Sequence, residues 1–583
     1  MNNYNLSTSA GQTKPMAALK KLLPLLADER GRLLGALLAM LVNSGLNLLT
    51  PLVVGWTVDT SIKNGDFAVV LRNAGLLLLC YLVAFVASYA QTVAMGNVGQ
   101  RVLFRLRNSV FAKLQSLPVA FFNQNKAGDL ISRINNDTDK LNQFFSQSLM
   151  QFAANIFMIL GAAVFLLVIH VRLGAATLAP AVFLLIFTQF VSAWIRRKNL
   201  QNLQATGGLS AEVQESLDNF KVIVAFNRRD YFRERFRLEN GKNFKAAVSA
   251  GVASGTLTPL YGFCANLAQL VVLAYGILLI AQGDFTVGIL ISFLTYVSRF
   301  YDPLRQMAML WANFQLAMAG WDRIAAILAL ESDMPTVAAG AKRNDALLEF
   351  DKVGFAYPSG KQVLREASFT LERGKTYALV GPTGGGKTTT ASLMARLFDP
   401  TSGTIYLGGR DIRSYPADER VKKIGFILQE PFLFTGTVRD NILYGNDAYA
   451  DHSAADLEAA LKKTGLEALL SRFDGGLDTP VKVGADGLSL GQRQLIAFMR
   501  AVLRDPELLI LDEATANIDT VTEQLLEDIL KRLPASTTRV IIAHRLNTIE
   551  SADEIFFVNG GEITPAGSME HAVDMLLHGH RQS

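Results

Sequence analysis

Charge is scarce in the first part of this 583-residue chain, and the scarcity is organised. Only 18% of the residues are Asp, Glu, Lys or Arg, and five apolar stretches, 33–56, 74–95, 149–169, 173–195 and 257–280, contain none of them. Cysteine is scarcer still. The two present, Cys80 and Cys264, fall inside apolar runs, which excludes a disulfide framework or a thiolate metal site. The opening residues MNNYNLSTSAGQTK have no short apolar core followed by small residues, so no signal peptide is expected. They also lack the arginines of an organelle transit peptide. A net charge of +5 does not point to nucleic acid, because the basic residues cluster beside the apolar runs, as in cytoplasmic membrane loops.

What is present is a membrane pattern. A sixth apolar segment, 286–308, joins the five, and each is long enough to cross a bilayer, which takes about 20 residues. Spans three and four are separated only by His170, Val171 and Arg172, so that turn is tight. The long loops 96–148 and 196–250 carry seven and eleven Lys or Arg, against three in the loops on the other side. The positive-inside rule then puts both long loops and both termini in the cytoplasm. In the first of these loops Val98, Val102, Leu106, Val110, Leu114 and Leu117 recur at helical spacing, so the membrane helices continue beyond the bilayer. Turn signals follow at Leu117-Pro118 and Lys126–Asp129. These loops are either solvated hairpins or elements that carry motion to a second domain.

The second half reads as a soluble α/β protein. The short apolar strand 377–381 runs into Gly381-Pro382-Thr383-Gly384-Gly385-Gly386-Lys387-Thr388, followed by Thr389 and a helix. This is a phosphate-binding loop: glycines bring backbone N–H groups to the phosphates, Lys387 offsets their charge, and Thr388 offers a hydroxyl to Mg²⁺. A second strand, LLILD at 508–512, ends in Asp512, placed for nucleotide-bound magnesium, and Glu513 follows, placed to orient or deprotonate the attacking water. Taken alone, Asp-Glu after an apolar run is as well read as a strand-ending cap.

The order of GPTGGGKTT, Gln429, LSLGQRQ, LLILDEAT, ANID and AHR resembles the nucleotide-binding domain of ABC transporters. The six preceding spans resemble the exporter type, in which such chains are half-transporters. The resemblance implies a multi-domain fold. An all-α polytopic membrane domain of six transmembrane helices would occupy 1–330, and a linker 331–346. An α/β P-loop nucleotide-binding domain with a helical subdomain would occupy 347–583. It implies ATP and Mg²⁺ as ligands, Tyr357 stacking on adenine, and Gln429 sensing Mg²⁺ and the γ-phosphate. It also implies that Ser489, Gly491 and Gln492 close over the ATP of another subunit and that Asp519 meets that subunit. His544 is implied to pair with the γ-phosphate and hold Glu513 in register. The stretches 117–137 and 215–228 resemble the intracellular coupling loops of exporters.

Two departures stand out. Leu490 occupies a signature position where glycine or glutamine is usual, and 479–487 lack a glutamate often found ahead of that loop. With Glu513 and His544 both present, a homodimer is favoured over pairing with a homologous half-transporter. The expected location is the bacterial inner membrane, with the ATPase domain cytoplasmic.

The cargo is less legible. The spans hold scattered polar residues, Asn43, Asn47, Asn155, Gln189, Asn266 and Gln269, which suit amphipathic or lipid-like compounds or bond between helices. Arg299, Asp302 and Arg305 share one face of the sixth span, with Arg299 about 20 Å from its start. They are candidates for an anionic headgroup site or a gate, or else form an internal ion pair. Export or flipping of lipids and amphipathic drugs is the leading reading. An importer on the exporter architecture and an ATP-gated regulator or channel are the alternatives.

Overall fold

The computed structural model describes residues 4–6, 23–62, 66–340, 345–358, 360–449, 452–482, 488–512, 520–542 and 549–578. The chain forms two compact units. One comprises Ser7–Leu114 and Gly128–Ala329, and the other Met1–Leu6, Gln115–Ala127 and Leu330–Ser583.

The first unit is helical. Its long elements are α1 (Arg30–Thr57), α2 (Phe67–Gln115), α3 (Leu149–Ile169), α4 (Val171–Asp218), α5 (Arg229–Gly255), α6 (Leu257–Gln282) and α7 (Val287–Leu328). The six apolar segments fall on α1, α2, α3, α4, α6 and α7. Among the described residues, five helical stretches are long and apolar enough to cross a membrane. The sixth segment, on α7, is diluted by Arg299, Asp302 and Arg305. At 49 residues α2 is far longer than a bilayer requires, and Val98, Val102, Leu106, Val110 and Leu114 on its second half are all buried. The turn after α3 is a single extended residue, His170, whose imidazole accepts from the Leu173 N–H at 3.1 Å and so caps α4.

The contact between α1 and α7 shows how apolar helices associate without a hydrophobic difference from lipid. Gly55 and Gly288 face one another so closely that a Cβ on Gly288 would lie 2.0 Å from the Gly55 carbonyl. Ser292 donates to the Pro51 carbonyl at 2.7 Å and Tyr296 to that of Leu48 at 2.5 Å. Asp59 receives the Gly288 N–H at 2.8 Å and the Thr286 hydroxyl at 2.5 Å. Pro51 removes the N–H that the Asn47 carbonyl would otherwise accept, and the Thr50 hydroxyl donates to that carbonyl at 3.2 Å. Further along the chain, Arg323 on α7 reaches Asp129 at 2.6 Å and the fully buried Asp137 at 3.2 Å. Arg133 bonds Asp129 at 2.8 Å and the Arg323 carbonyl at 2.9 Å.

The second unit holds β1 (Leu348–Ala356), β2 (Gln362–Leu371), β3 (Thr376–Val380), β4 (Ser402–Leu407), β5 (Arg410–Asp411), β6 (Ile424–Ile427), β7 (Gly436–Thr437), β8 (Pro480–Val481), β9 (Leu508–Asp512), β10 (Thr538–Ile542), β11 (Glu554–Asn559) and β12 (Glu562–Pro565). A six-stranded sheet runs β12-β11-β3-β10-β9-β6, parallel except at β12, and an antiparallel sheet runs β2-β1-β4-β5. Every residue of β3 and β9 is buried, as expected for central strands covered on both faces. Helices α8 (Lys387–Met394), α9 (Leu490–Val502) and α10 (Thr520–Arg532) follow β3, β8 and β9 in the chain. Short helices between 438 and 470 pack with α9 around Leu457, Leu461, Ile496 and Phe498, forming the helical subdomain.

This unit also contains residues 115–127. Their short helix, Val119–Gln124, carries the fully buried Phe121 and follows the turn at Pro118, where the sequence signals one.

Candidate nucleotide site and membrane cavity

The nucleotide site begins with sheet register. Ile542 pairs with both Asp512 and Leu379, and Ile427 pairs with Leu511. The carboxyl ends of β6, β9, β10 and β3 therefore lie along one edge, where open α/β sheets bind ligands. The chain leaves β3 through the glycine loop. At Gly381 φ is +148°, and a Cβ there would stand 2.1 Å from the Val558 carbonyl oxygen. At Gly384 φ is +82° with open space around it. This loop opens α8, whose first N–H groups have no partner within the helix. Lys387, almost fully buried, folds back to donate to the carbonyls of Gly381 (2.8 Å) and Pro382 (3.1 Å). Its ammonium therefore arches over the loop. The Thr388 hydroxyl lies 3.5 Å from the Asp512 carboxylate, so the two oxygen donors proposed for magnesium are neighbours, of the hard type it prefers.

Tyr357 is half-buried, edge-on to Phe355 and Phe398, and its hydroxyl is 3.1 Å from that of Thr389. Only the fold brings Phe398 to Tyr357, and no local pattern in the sequence marks it. Gln429 is exposed two residues after β6. Ser489 is the exposed N-cap of α9 in a reciprocal capping box: its hydroxyl accepts from the Gln492 N–H, and the Ser489 N–H donates to Gln492 Oε1 at 3.0 Å. Gln492 also donates to the Arg472 carbonyl at 3.0 Å, so its side chain shapes this loop from within the chain. Gly491 is half-buried in the first turn of α9. Glu513, Asp519 and His544 lie outside the described residues.

Comparison with known proteins decides the family. The family description "ABC transporter transmembrane region" matches residues 33–304, and "ABC transporter" matches 364–516. An uncharacterized ABC transporter ATP-binding protein of Bacillus subtilis is 32% identical over 557 residues, covering 95% of this chain and 92% of the relative. The chain is a member of the ABC transporter family. A fatty acid ABC transporter ATP-binding/permease protein of Mycobacterium bovis is 33% identical over 524 residues, covering 90% of this chain and 82% of that protein. The solved structure of a bacterial Atm1-family ABC exporter with ATP bound superposes with a TM-score of 0.79 at 26% identity, covering 95% of this chain and 99% of that one. The transporter is thus an ATP-hydrolysing half-transporter of the exporter type, with a transmembrane region fused to a nucleotide-binding domain, an architecture that implies dimerisation.

The membrane unit of the half-transporter contains a cavity of about 490 Å³ lined by Gln269 and Leu273 of α6 and Leu294, Ser298, Arg299 and Asp302 of α7. The structure divides the three charges that the sequence grouped together. Asp302 and Arg305 approach at 4.0 Å with both side chains more than half exposed. Arg299 and Asp302 line the cavity, and among the described residues Arg299 has no ion-pair partner. Pro303 lies one turn beyond Arg299 and deprives its carbonyl of the usual N–H donor. The scattered amides divide too. Gln269 donates to Ser298 at 3.2 Å and Asn155 to Gln306 at 3.4 Å, both between helices, whereas Asn47 bonds Asn43 within α1.

Proposed function

We propose that the transporter exports or flips amphipathic compounds bearing an acidic group, with lipids and fatty acids as the leading class, as a homodimer in the bacterial inner membrane. The cavity between α6 and α7 supports this most directly: leucines supply apolar surface, and beside them stands the Arg299 guanidinium, which has no ion-pair partner among the described residues although Asp302 lines the same cavity. A carboxylate or phosphate headgroup would supply that partner while its chain lies on the leucines. The relative named a fatty acid transporter agrees with this class, and a relative named a multidrug resistance ABC transporter agrees with a broader cargo.

In this reading, ATP lies on the 381–389 loop with Tyr357 against its adenine. Lys387 would offset phosphate charge, and Thr388, Asp512 and Gln429 would hold magnesium, which when bound would supply positive charge to the phosphates. Glu513 orients the attacking water and His544 steadies it. Ser489 and Gly491 of a second copy complete the site, which makes the dimer obligatory for turnover. The Lys and Arg of the two long loops support a cytoplasmic ATPase.

The test is an ATPase assay of the purified protein in nanodiscs, titrated with oleate, its neutral analogue monoolein and a cationic drug. Preferential stimulation by oleate that Arg299→Ala abolishes is the expected result. Equal responses to all three in the parent protein would remove the acidic-headgroup reading.

A further inference from the structure

We propose that the N-terminal residues Tyr4–Leu6 are a built-in peptide ligand, bound in a groove between the helix Val119–Gln124 and the linker at 331–333, and that they clasp these two segments together. Nothing in the composition of the opening residues suggests burial, yet Tyr4 and Leu6 are among the buried residues of the ATPase-containing unit. The recognition is of both main chain and side chain. Gln124 accepts the Tyr4 N–H at 2.9 Å. Asn125 donates to the Tyr4 carbonyl at 2.9 Å and accepts the Leu6 N–H at 3.2 Å. One amide side chain thereby reads the carbonyl and the N–H of alternate residues, as the edge of a sheet reads an added strand.

The side chain of Tyr4 reaches the other wall. Its hydroxyl donates to the Glu331 carbonyl at 3.1 Å and accepts the Asp333 N–H at 2.8 Å, while its ring meets Phe121 edge-on at 6.2 Å. Every one of these bonds crosses more than 100 residues of sequence. A small cavity lined by Pro118, Ala120, Asp333, Phe398 and Thr401 adjoins the groove. Phe398 also packs on Tyr357, the residue assigned to adenine. The clasp therefore fastens the intracellular helix and the linker where both meet the segment leaving the phosphate-loop helix. It concerns neither the cargo nor the ATP chemistry, so its test does not depend on either.

The experiment uses the full-length chain with Tyr4→Ala and Leu6→Ala as a receptor whose own ligand is disabled. A fluorescein-labelled peptide of residues 1–8 is titrated into it by anisotropy. Saturable binding is expected, at least tenfold weaker to the parent protein, whose groove is filled, and at least tenfold weaker for the same peptide carrying Tyr4→Ala. Hydrogen exchange gives a second readout. The Asp333 amide should exchange at least tenfold faster in Tyr4→Phe, which keeps the ring and removes the accepting hydroxyl, with the amides of β3 unchanged. Equal peptide binding to parent and variant, or unchanged exchange at Asp333, would overturn the proposal.

Discussion

The glycines of the phosphate loop offer a test in which geometry ranks two substitutions that look alike in the sequence. A Cβ on Gly381 would stand 2.1 Å from the Val558 carbonyl oxygen and 3.0 Å from its carbon. Carbon and oxygen rest at about 3.3 Å or more, so Gly381→Ala forces the loop and β11 apart by roughly 1 Å. Overpacking of this kind costs about 1–3 kcal/mol. Holding alanine at a φ that glycine tolerates costs about 1–3 kcal/mol more. Gly384→Ala meets nothing within 4 Å and bears only the left-handed backbone cost, about 1–2 kcal/mol. With about 1.4 kcal/mol per decade, Gly381→Ala should weaken nucleotide binding on the order of 100-fold or more, and Gly384→Ala on the order of tenfold. Equilibrium binding of a fluorescent ATP analogue measures both, with thermal unfolding of each variant without nucleotide as the folding control. Equal affinities for the two variants, or Gly381→Ala within threefold of the parent, would refute this account of the loop.

Other outcomes follow from the charges. Burial raises the Glu507 pKa, but hydrogen bonds from Lys423 and Arg373 outweigh it and hold the carboxyl below its ordinary value. The ionised form therefore stabilises the fold at neutral pH, and that contribution is lost as pH falls from about 4.3 through the folded value. Glu507→Gln should lower the unfolding temperature at pH 7, with the difference from the parent shrinking as pH falls below the ordinary carboxylate value and vanishing below the lowered folded one. Arg323→Ala leaves the buried Asp137 with Lys140, at 2.8 Å, as its remaining ion-pair partner among the described residues, and should cost about 2 kcal/mol, much of it recovered when Asp137→Asn is added; chemical denaturation of the pair of variants measures this. Arg299→Ala should erase any preference for oleate over monoolein in the nanodisc ATPase assay.

The uneven visibility of these features has physical causes. Membrane spans are written in composition, because a bilayer admits almost no unpaired charge, and five of the six segments contain none. The α7 segment was legible from its length and apolar character, and its three charges stood out as candidate site residues against that background. The phosphate loop was equally open, since its glycines, lysine and threonine act within a few consecutive residues and β3 and α8 flank them as expected. Long-range geometry was not visible. No pattern in MNNYNL announces that Tyr4 bonds residues 331 and 333, and equal spacing of Arg299, Asp302 and Arg305 could not tell which of them pair. The capping role of Gln492 was hidden as well, because the same S-x-x-Q spacing serves a helix start and a signature loop.

The central claim is that ATP turnover at this site drives movement of cargo across the membrane. The most direct measurement reconstitutes the parent and Glu513→Gln in liposomes containing a fluorescent fatty acid and follows ATP hydrolysis and leaflet transfer together. The account predicts ATP-dependent transfer by the parent, and in the variant retained ATP binding with both hydrolysis and transfer lost. Transfer that continues in Glu513→Gln at the parent's rate, or hydrolysis that persists there at a substantial steady rate, would contradict it.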